Sequence, residues 1–262
     1  ELPRQIRVLL AQLYGKGCEG YHQSLQTLVK IEDMKRLFLI LVLLATAITS
    51  SAKEQPEWLK KAAIYHIYPL TYMDSDGDGI GDLEGIRSKL DYIKSVGFDC
   101  IWLSPCFMSA WEDGGYDILD YYKVDPRFGT NDDLKRLIDD AHKRGIKILL
   151  DLVAGHTSDK HPWFKESLKA ERNQYSDYYI WTEGHTMPQP SFRWVDNTYP
   201  RNGIYLSNFF PIQPALNYGY YKPNSANSWE HDYNAPGPTA VRNELKKIIA
   251  YWCDMGADGF RV

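Results

Sequence analysis

Between residues 62 and 262 the apolar positions keep two alternating rhythms. The run Ala62-Ala63-Ile64-Tyr65-His66-Ile67-Tyr68 reads as a buried strand. Leu83, Ile86, Leu90 and Ile93 then fall at helical spacing, and Gly97 stops that helix. Residues 98–103 give a second strand. Thr130 is a good N-cap with Asp133 three residues on, and Leu134, Leu137, Ile138 and Ala141 line one face of the next helix, up to Gly145. Residues 146–153, rich in aliphatic side chains, give a third strand. Residues 157–237 lose the rhythm and are dense in Tyr, Trp, Asn, Pro and Gly. It resumes with a helix capped by Thr239 and running through Val241, Leu245, Ile248, Ile249 and Trp252 to Gly256, and residues 257–262 begin a fourth strand.

Apolar strands alternating with helices imply a parallel sheet covered by helices, either a doubly wound sheet or a (β/α)8 barrel. Polar clusters come after the strands at residues 74–82, 104–117 and 156–159, which places function at the C-terminal strand ends in either architecture. No glycine-rich dinucleotide loop comes after the first strand, which favours the barrel. The organisation predicted is a barrel domain A over 53–156 and 238–262, interrupted by an irregular B domain over 157–237.

Residues 34–52 read differently. Met34-Lys35-Arg36 is a short basic start, Leu37 to Leu44 an unbroken apolar run, and Ser50-Ser51-Ala52 a small-residue end. That order is a secretory signal peptide cleaved after Ala52, too short for a membrane span of about 20 residues. A secreted or periplasmic protein, with no stable membrane insertion after cleavage, is expected. Residues 1–33 are read as an upstream segment outside the fold.

Composition narrows the chemistry. A net charge of −4 over 262 residues argues against nucleic acid as the main partner, because a phosphate binder needs a basic face. Aromatic residues make up 14%, with 19 Tyr and 8 Trp, and suit either an aromatic core or a sugar cleft. Trp163, Trp181, Trp194, Tyr205, Phe209, Phe210 and Trp229 are the cleft candidates in the irregular stretch, most of them expected to pack it instead. The four cysteines fit no zinc spacing; Cys100 and Cys253 are expected as buried free thiols.

Four constellations carry chemistry. Asp74, Asp76, Asp78 and Asp82, with the Ile80 carbonyl, space oxygen ligands two apart as a hard cation requires. Gly85 stands where an EF-hand has its bidentate Glu, and a strand precedes the loop, so the expectation is a structural calcium (or magnesium) loop, not a sensor. Tyr116 and Asp117 come after the second strand. His156 sits at the tip of the third. Arg261 alternates with core residues in the fourth and needs a carboxylate partner, because a lone buried guanidinium is costly; none comes after it in the chain.

The run Ala63-Ile64-Tyr65-His66-Ile67-Tyr68-Pro69, the Asp-Gly loop, Ile101-Trp102-Leu103-Ser104-Pro105, Gly115-Tyr116-Asp117, the block from Asp151 to His156, and Gly259-Phe260-Arg261-Val262 occur in order. Together they resemble glycoside hydrolase family 13, the α-amylase family, in its maltase and oligo-1,6-glucosidase branch. The resemblance covers residues 56–262 and implies a (β/α)8 barrel with a B domain after the third strand. It implies a retaining mechanism with an Asp nucleophile, a Glu acid/base and a second Asp. The nucleophile is expected directly after Val262, so this chain is read as the first part of an α-glucosidic hydrolase and as inactive alone. The resemblance further implies that Asp117 and His156 contact the terminal sugar, that Tyr116 is an aromatic platform and that Arg261 orients the nucleophile. It likewise assigns Asp74, Asp76, Asp78, Ile80 and Asp82 to the metal loop. The substrate implied is an oligosaccharide of the malto or isomalto type, or one derived from starch. Two departures stand out: Gly155 replaces an Asn before the His, and Gln213-Pro214-Ala215-Leu216-Asn217 lacks a carboxylate that correlates with linkage preference. A trehalose- or trehalulose-forming transglycosylase, or a non-catalytic sugar-binding relative, are the alternatives.

Overall fold

The computed structural model describes residues 55–262 apart from Phe192 and Asn197. The upstream segment 1–33, the signal segment 34–52 and Cys18 lie outside the described residues. Internal contacts divide the chain into Glu1–Lys60 and Lys61–Val262, and the sheet with its helices belongs to the second unit.

In chain order this unit contains β1 (Ile64–Ile67), α1 (Pro69–Tyr72), α2 (Leu83–Ser88), α3 (Leu90–Ser95), β2 (Cys100–Leu103), β3 (Phe107–Ser109) and β4 (Ile118–Val124). Then come α4 (Asn131–Lys143), β5 (Lys147–Asp151), α5 (Pro162–Ser167), β6 (Trp194–Val195), β7 (Tyr205–Leu206), α6 (Pro236–Asp254) and β8 (Gly259–Arg261). The four strands expected from periodicity form one parallel sheet in the order β1-β2-β5-β8. A doubly wound sheet must reverse its order at a switch point. This one adds each strand on the same side, which is barrel winding.

Register sorts the side chains. Because successive residues point to opposite faces, one face carries Ile67, Ile101, Leu103, Ile148 and Leu150, all buried. These pack into one core with Leu83, Ile86, Leu90, Ile93, Leu134, Leu137, Ile138, Ile248 and Trp252 of the helices. The other face carries His66, Trp102, Leu149, Asp151, Gly259 and Arg261.

Several elements differ from their expectation. The helix read over Leu83 to Ile93 is two helices broken at Lys89, which leaves the helical region with φ −102° and ψ 3°. Ser88 turns its hydroxyl back onto the Gly85 carbonyl at 2.7 Å, a local bond that competes with the helix. The apolar stripe nevertheless continues across the break. Thr130 and Asp133 form a full capping box on α4. Thr239 does not cap α6: the helix begins three residues earlier at Pro236, whose fixed φ and missing N–H suit a first helical position. The antiparallel pair β3–β4 is new to the picture; its polar residues hide a strand signal. Cys100 and Cys106 are buried free thiols, but Cys253 lies exposed on α6, off its apolar stripe.

The irregular stretch builds its own small core from Phe164, Tyr178, Tyr179, Trp181, Tyr205 and Leu216, with Val241 of α6. Phe164 sits 5.0 Å edge-to-face from both Tyr179 and Tyr205. Trp181 and Tyr205 are thus packing residues, and Trp194 and Trp229 pack edge-to-face at 5.2 Å. Among the cleft candidates, Phe209 and Phe210 are the ones left exposed. No described helix is long and apolar enough to cross a membrane.

Candidate active site

At the C-terminal end of the sheet, Asp151 ends β5 and Arg261 ends β8, directly opposite in register. The Asp151 side chain is 1% exposed, and both its oxygens lie 3.3 Å from the Arg261 guanidinium. The Trp102 indole donates to it at 3.1 Å and the Tyr116 hydroxyl at 3.2 Å. Burial pushes its carboxyl above the usual range, and Arg261 and these two donors oppose that rise. The partner that Arg261 requires therefore precedes it in the chain, on the neighbouring strand.

An aromatic tier surrounds this pair. His66 stacks on Trp102 with centroids 3.9 Å apart, and its Nε2 lies 2.7 Å from Ser104 Oγ. The Arg261 guanidinium stands over the Trp102 ring at 5.1 Å and the Tyr116 ring at 6.0 Å. His66, Trp102, Ser104 and Asp151 lie within the motifs, which give them no role of their own. Strand parity is the available signal for three of them, since His66, Trp102 and Asp151 share one sheet face with Arg261.

His156 comes after β5 and is 3% exposed. Its Nε2 is 2.9 Å from the Tyr116 carbonyl and its Nδ1 is 3.1 Å from Asn208 Nδ2. The exposed Phe209 ring stands edge-on at 5.9 Å. Burial lowers the His156 pKa, so the neutral ring is favoured.

Asp117 is turned into its own loop. It is 0% exposed, and its carboxylate accepts from Ser109 Oγ at 2.7 Å, Glu112 N at 2.9 Å and Asp113 N at 3.3 Å. Its work here is to fold the loop from Ser109 back on itself. Within that loop Trp111 holds φ 60°, a strained value for a non-glycine residue. The strain is held by an indole bond to Asp125 at 2.7 Å and by Arg127 over the ring at 4.4 Å. Gln213, fully buried, donates to Asp113 at 2.6 Å and ties this loop to the segment bearing Asn208 and Phe209.

The acidic loop after α1 brings Asp74, Asp76 and Asp78 together, with ligand oxygens within 4.8 Å of one another. Asp74 accepts from Gly77 N at 2.6 Å and Gly79 N at 2.9 Å, which hold its carboxyl below the usual range. Ile80 donates its N–H to Asp78 at 2.7 Å. Asp82 stands apart from the trio: it caps α2 through Gly85 N at 2.6 Å and accepts from Ser75 N at 2.8 Å. Three converging carboxylates, preorganised by backbone N–H groups, fit a hard divalent cation.

The family described as "Alpha amylase, catalytic domain" matches residues 66–262. The oligo-1,6-glucosidase of Heyndrickxia coagulans is 44% identical over 216 residues, covering 79% of this chain and 35% of its own length. The trehalose synthase/amylase TreS of Mycolicibacterium smegmatis is 42% identical over 213 residues, covering 78% of this chain and 33% of its own. The crystal structure of the trehalulose synthase MutB from Pseudomonas mesoacidophila MX-45 matches with a TM-score of 0.67 at 35% identity, over 79% of this chain and 35% of that one. This chain thus spans about a third of the length of the relatives it matches. By these matches the sheet β1-β2-β5-β8 is part of a (β/α)8 barrel, in agreement with its winding.

Proposed function

Because the chain belongs to the α-amylase catalytic-domain family, we propose that it forms the first part of the active site of a retaining α-glucosidic hydrolase acting on malto- or isomalto-oligosaccharides. The observation that carries this reading is the Asp151–Arg261 pair at the mouth of the barrel, ringed by His66, Trp102 and Tyr116. Arg261 offers a 47% exposed side chain whose charge is already fixed in place by Asp151. A nucleophilic carboxylate directly after Val262 would stand beside that guanidinium and remain ionised. Phe209 would offer the sugar an apolar face, and His156, whose two nitrogens are bonded to Tyr116 and Asn208, the carbon edge of its ring. Asp117 would act by holding the loop that presents Tyr116.

We assign the Asp74–Asp76–Asp78 loop to calcium or magnesium. Bound there, the cation would neutralise three like charges and cross-link the turn between α1 and α2; Asp82 would support it by fixing Ser75. The segment 34–52 is assigned to secretion, which sequencing the N-terminus of the exported protein tests.

A second reading, transfer or isomerisation of the glucosyl group, is favoured by the likeness to TreS and MutB. Assay of the full-length protein on maltose, isomaltose, soluble starch and sucrose separates the readings. Release of glucose with water as acceptor supports hydrolysis. Rearranged disaccharides as sole products move the assignment to the second reading, and no turnover of any of them overturns both.

A further inference from the structure

Gly155, next to His156, is exposed and has no left-handed φ that would demand glycine. What it lacks is room. A Cβ built there would stand under 3.0 Å from Asn208 Nδ2 and meet no backbone atom within 4 Å. The amide filling that space lies 3.1 Å from His156 Nδ1. On the far side of the ring, Nε2 faces the Tyr116 carbonyl at 2.9 Å. A carbonyl only accepts, so Nε2 must carry the proton. In a neutral ring Nδ1 is then a bare lone pair and needs a donor, which the Asn208 amide nitrogen is.

We propose that Asn208 is the positioning residue of His156, holding from the irregular insertion the orientation of a ring whose Nε2–H tautomer the Tyr116 carbonyl sets, and that Gly155 is glycine to leave the Asn208 amide its place. The inference deepens the reading of His156 as a sugar-facing residue and rests on it for its functional meaning. A ring held at both nitrogens presents one fixed edge beside Phe209, where a ring held at Nε2 alone could swing about that bond.

The geometry makes two separate substitutions equivalent. Asn208→Ala removes the donor. Gly155→Ala leaves it in the chain but drives a flexible amide end aside, a cheap displacement that spares the fold. The readout is the pair of ring ¹⁵N shifts of His156 in the histidine-labelled full-length protein, assigned by its loss in His156→Gln. In the parent, Nδ1 should read as unprotonated and Nε2 as protonated at neutral pH. Each variant should keep the proton on Nε2, where the Tyr116 carbonyl holds it, while the Nδ1 shift moves to that of an unbonded lone pair, with the double variant no different from either. The catalytic efficiency of the full-length enzyme should fall in the same proportion in all three, on the order of tenfold for one lost orienting bond. In Gly155→Ala a methyl takes the space the amide leaves, so a merely space-filling Asn208 would leave the His156 shifts at the parent values. That result, or a proton found on Nδ1 in the parent, overturns the proposal. Shifts that change while activity stays constant leave the pinning intact and remove His156 from the sugar site.

Discussion

Asp151 and Arg261 face each other across β5 and β8, carboxylate oxygens 3.3 Å from the guanidinium, one side chain 1% exposed and the other 47%. The asymmetry sets what each contributes. Arg261 keeps enough water to tolerate losing its partner, whereas three donors converge on a carboxylate that water barely reaches. Asp151→Ala should therefore cost about 2–4 kcal/mol in urea unfolding, because it strands the Trp102 and Tyr116 donors. Asp151→Asn keeps an acceptor and should cost roughly a third of that. Equal costs for the two variants would show that charge, not hydrogen bonding, holds the site.

Acid should loosen the fold through histidines buried as neutral rings. Burial takes the His161 pKa from 6.5 down to about 3 and lowers that of His156. A folded-state pKa below the unfolded one means the unfolded chain binds the proton first. Their contribution is complete above pH about 6.5 and shrinks as pH falls toward about 3. His161 also accepts the Trp163 N–H at 3.0 Å through Nδ1, capping α5, and protonation ends that bond. Melting temperature measured from neutral pH downward should drop, and His161→Asn, which can still cap, should flatten the profile.

The Gln213–Asp113 bond is the side-chain tie between the loop presenting Tyr116 and the segment presenting Asn208. A double-mutant cycle with Gln213→Ala and Asp113→Ala should give a coupling of about 1–2 kcal/mol, since the bond is charge-assisted and its donor is fully buried. A coupling near zero would mean the two loops are held by their own packing.

Calcium or magnesium should raise the melting temperature, and a chelator should lower it again. At a free concentration about 100-fold above Kd the gain is about 2.7 kcal/mol. Asp76→Asn with Asp78→Asn should abolish the response. Asp82→Asn should instead lower stability with and without cation, because its bonds are to Ser75 and Gly85.

Periodicity alone delivers the four strands and the capped α4, because each buries a regular apolar stripe. The break at Lys89 escapes it because the stripe runs on across the break, and the start of α6 escapes it because Pro236 caps nothing yet suits the first turn. The site is legible where a residue type announces a need, as Arg261 does. Asp151 opens one of the ordered motifs, but its role is not legible there, because its partners are distant in sequence: Trp102 and Arg261 meet it only through register. Asn208 lies in a stretch with no period, so nothing local marks it. The motif around Asp117 points it at a ligand; three short-range donors in its own loop turn it inward.

Strand parity has a last consequence, for how this gene can change length. Shifting β5 by one residue would swing Asp151 to the helix side and put Leu150 or Leu152 opposite Arg261. The sheet would keep its hydrogen-bond count and lose its chemistry. Single-codon insertions and deletions within the strands are therefore the ones selection should purge, while in the stretch from 157 to 237 the exposed segments outside its aromatic core can absorb them so long as Gln213 and Asn208 keep their partners.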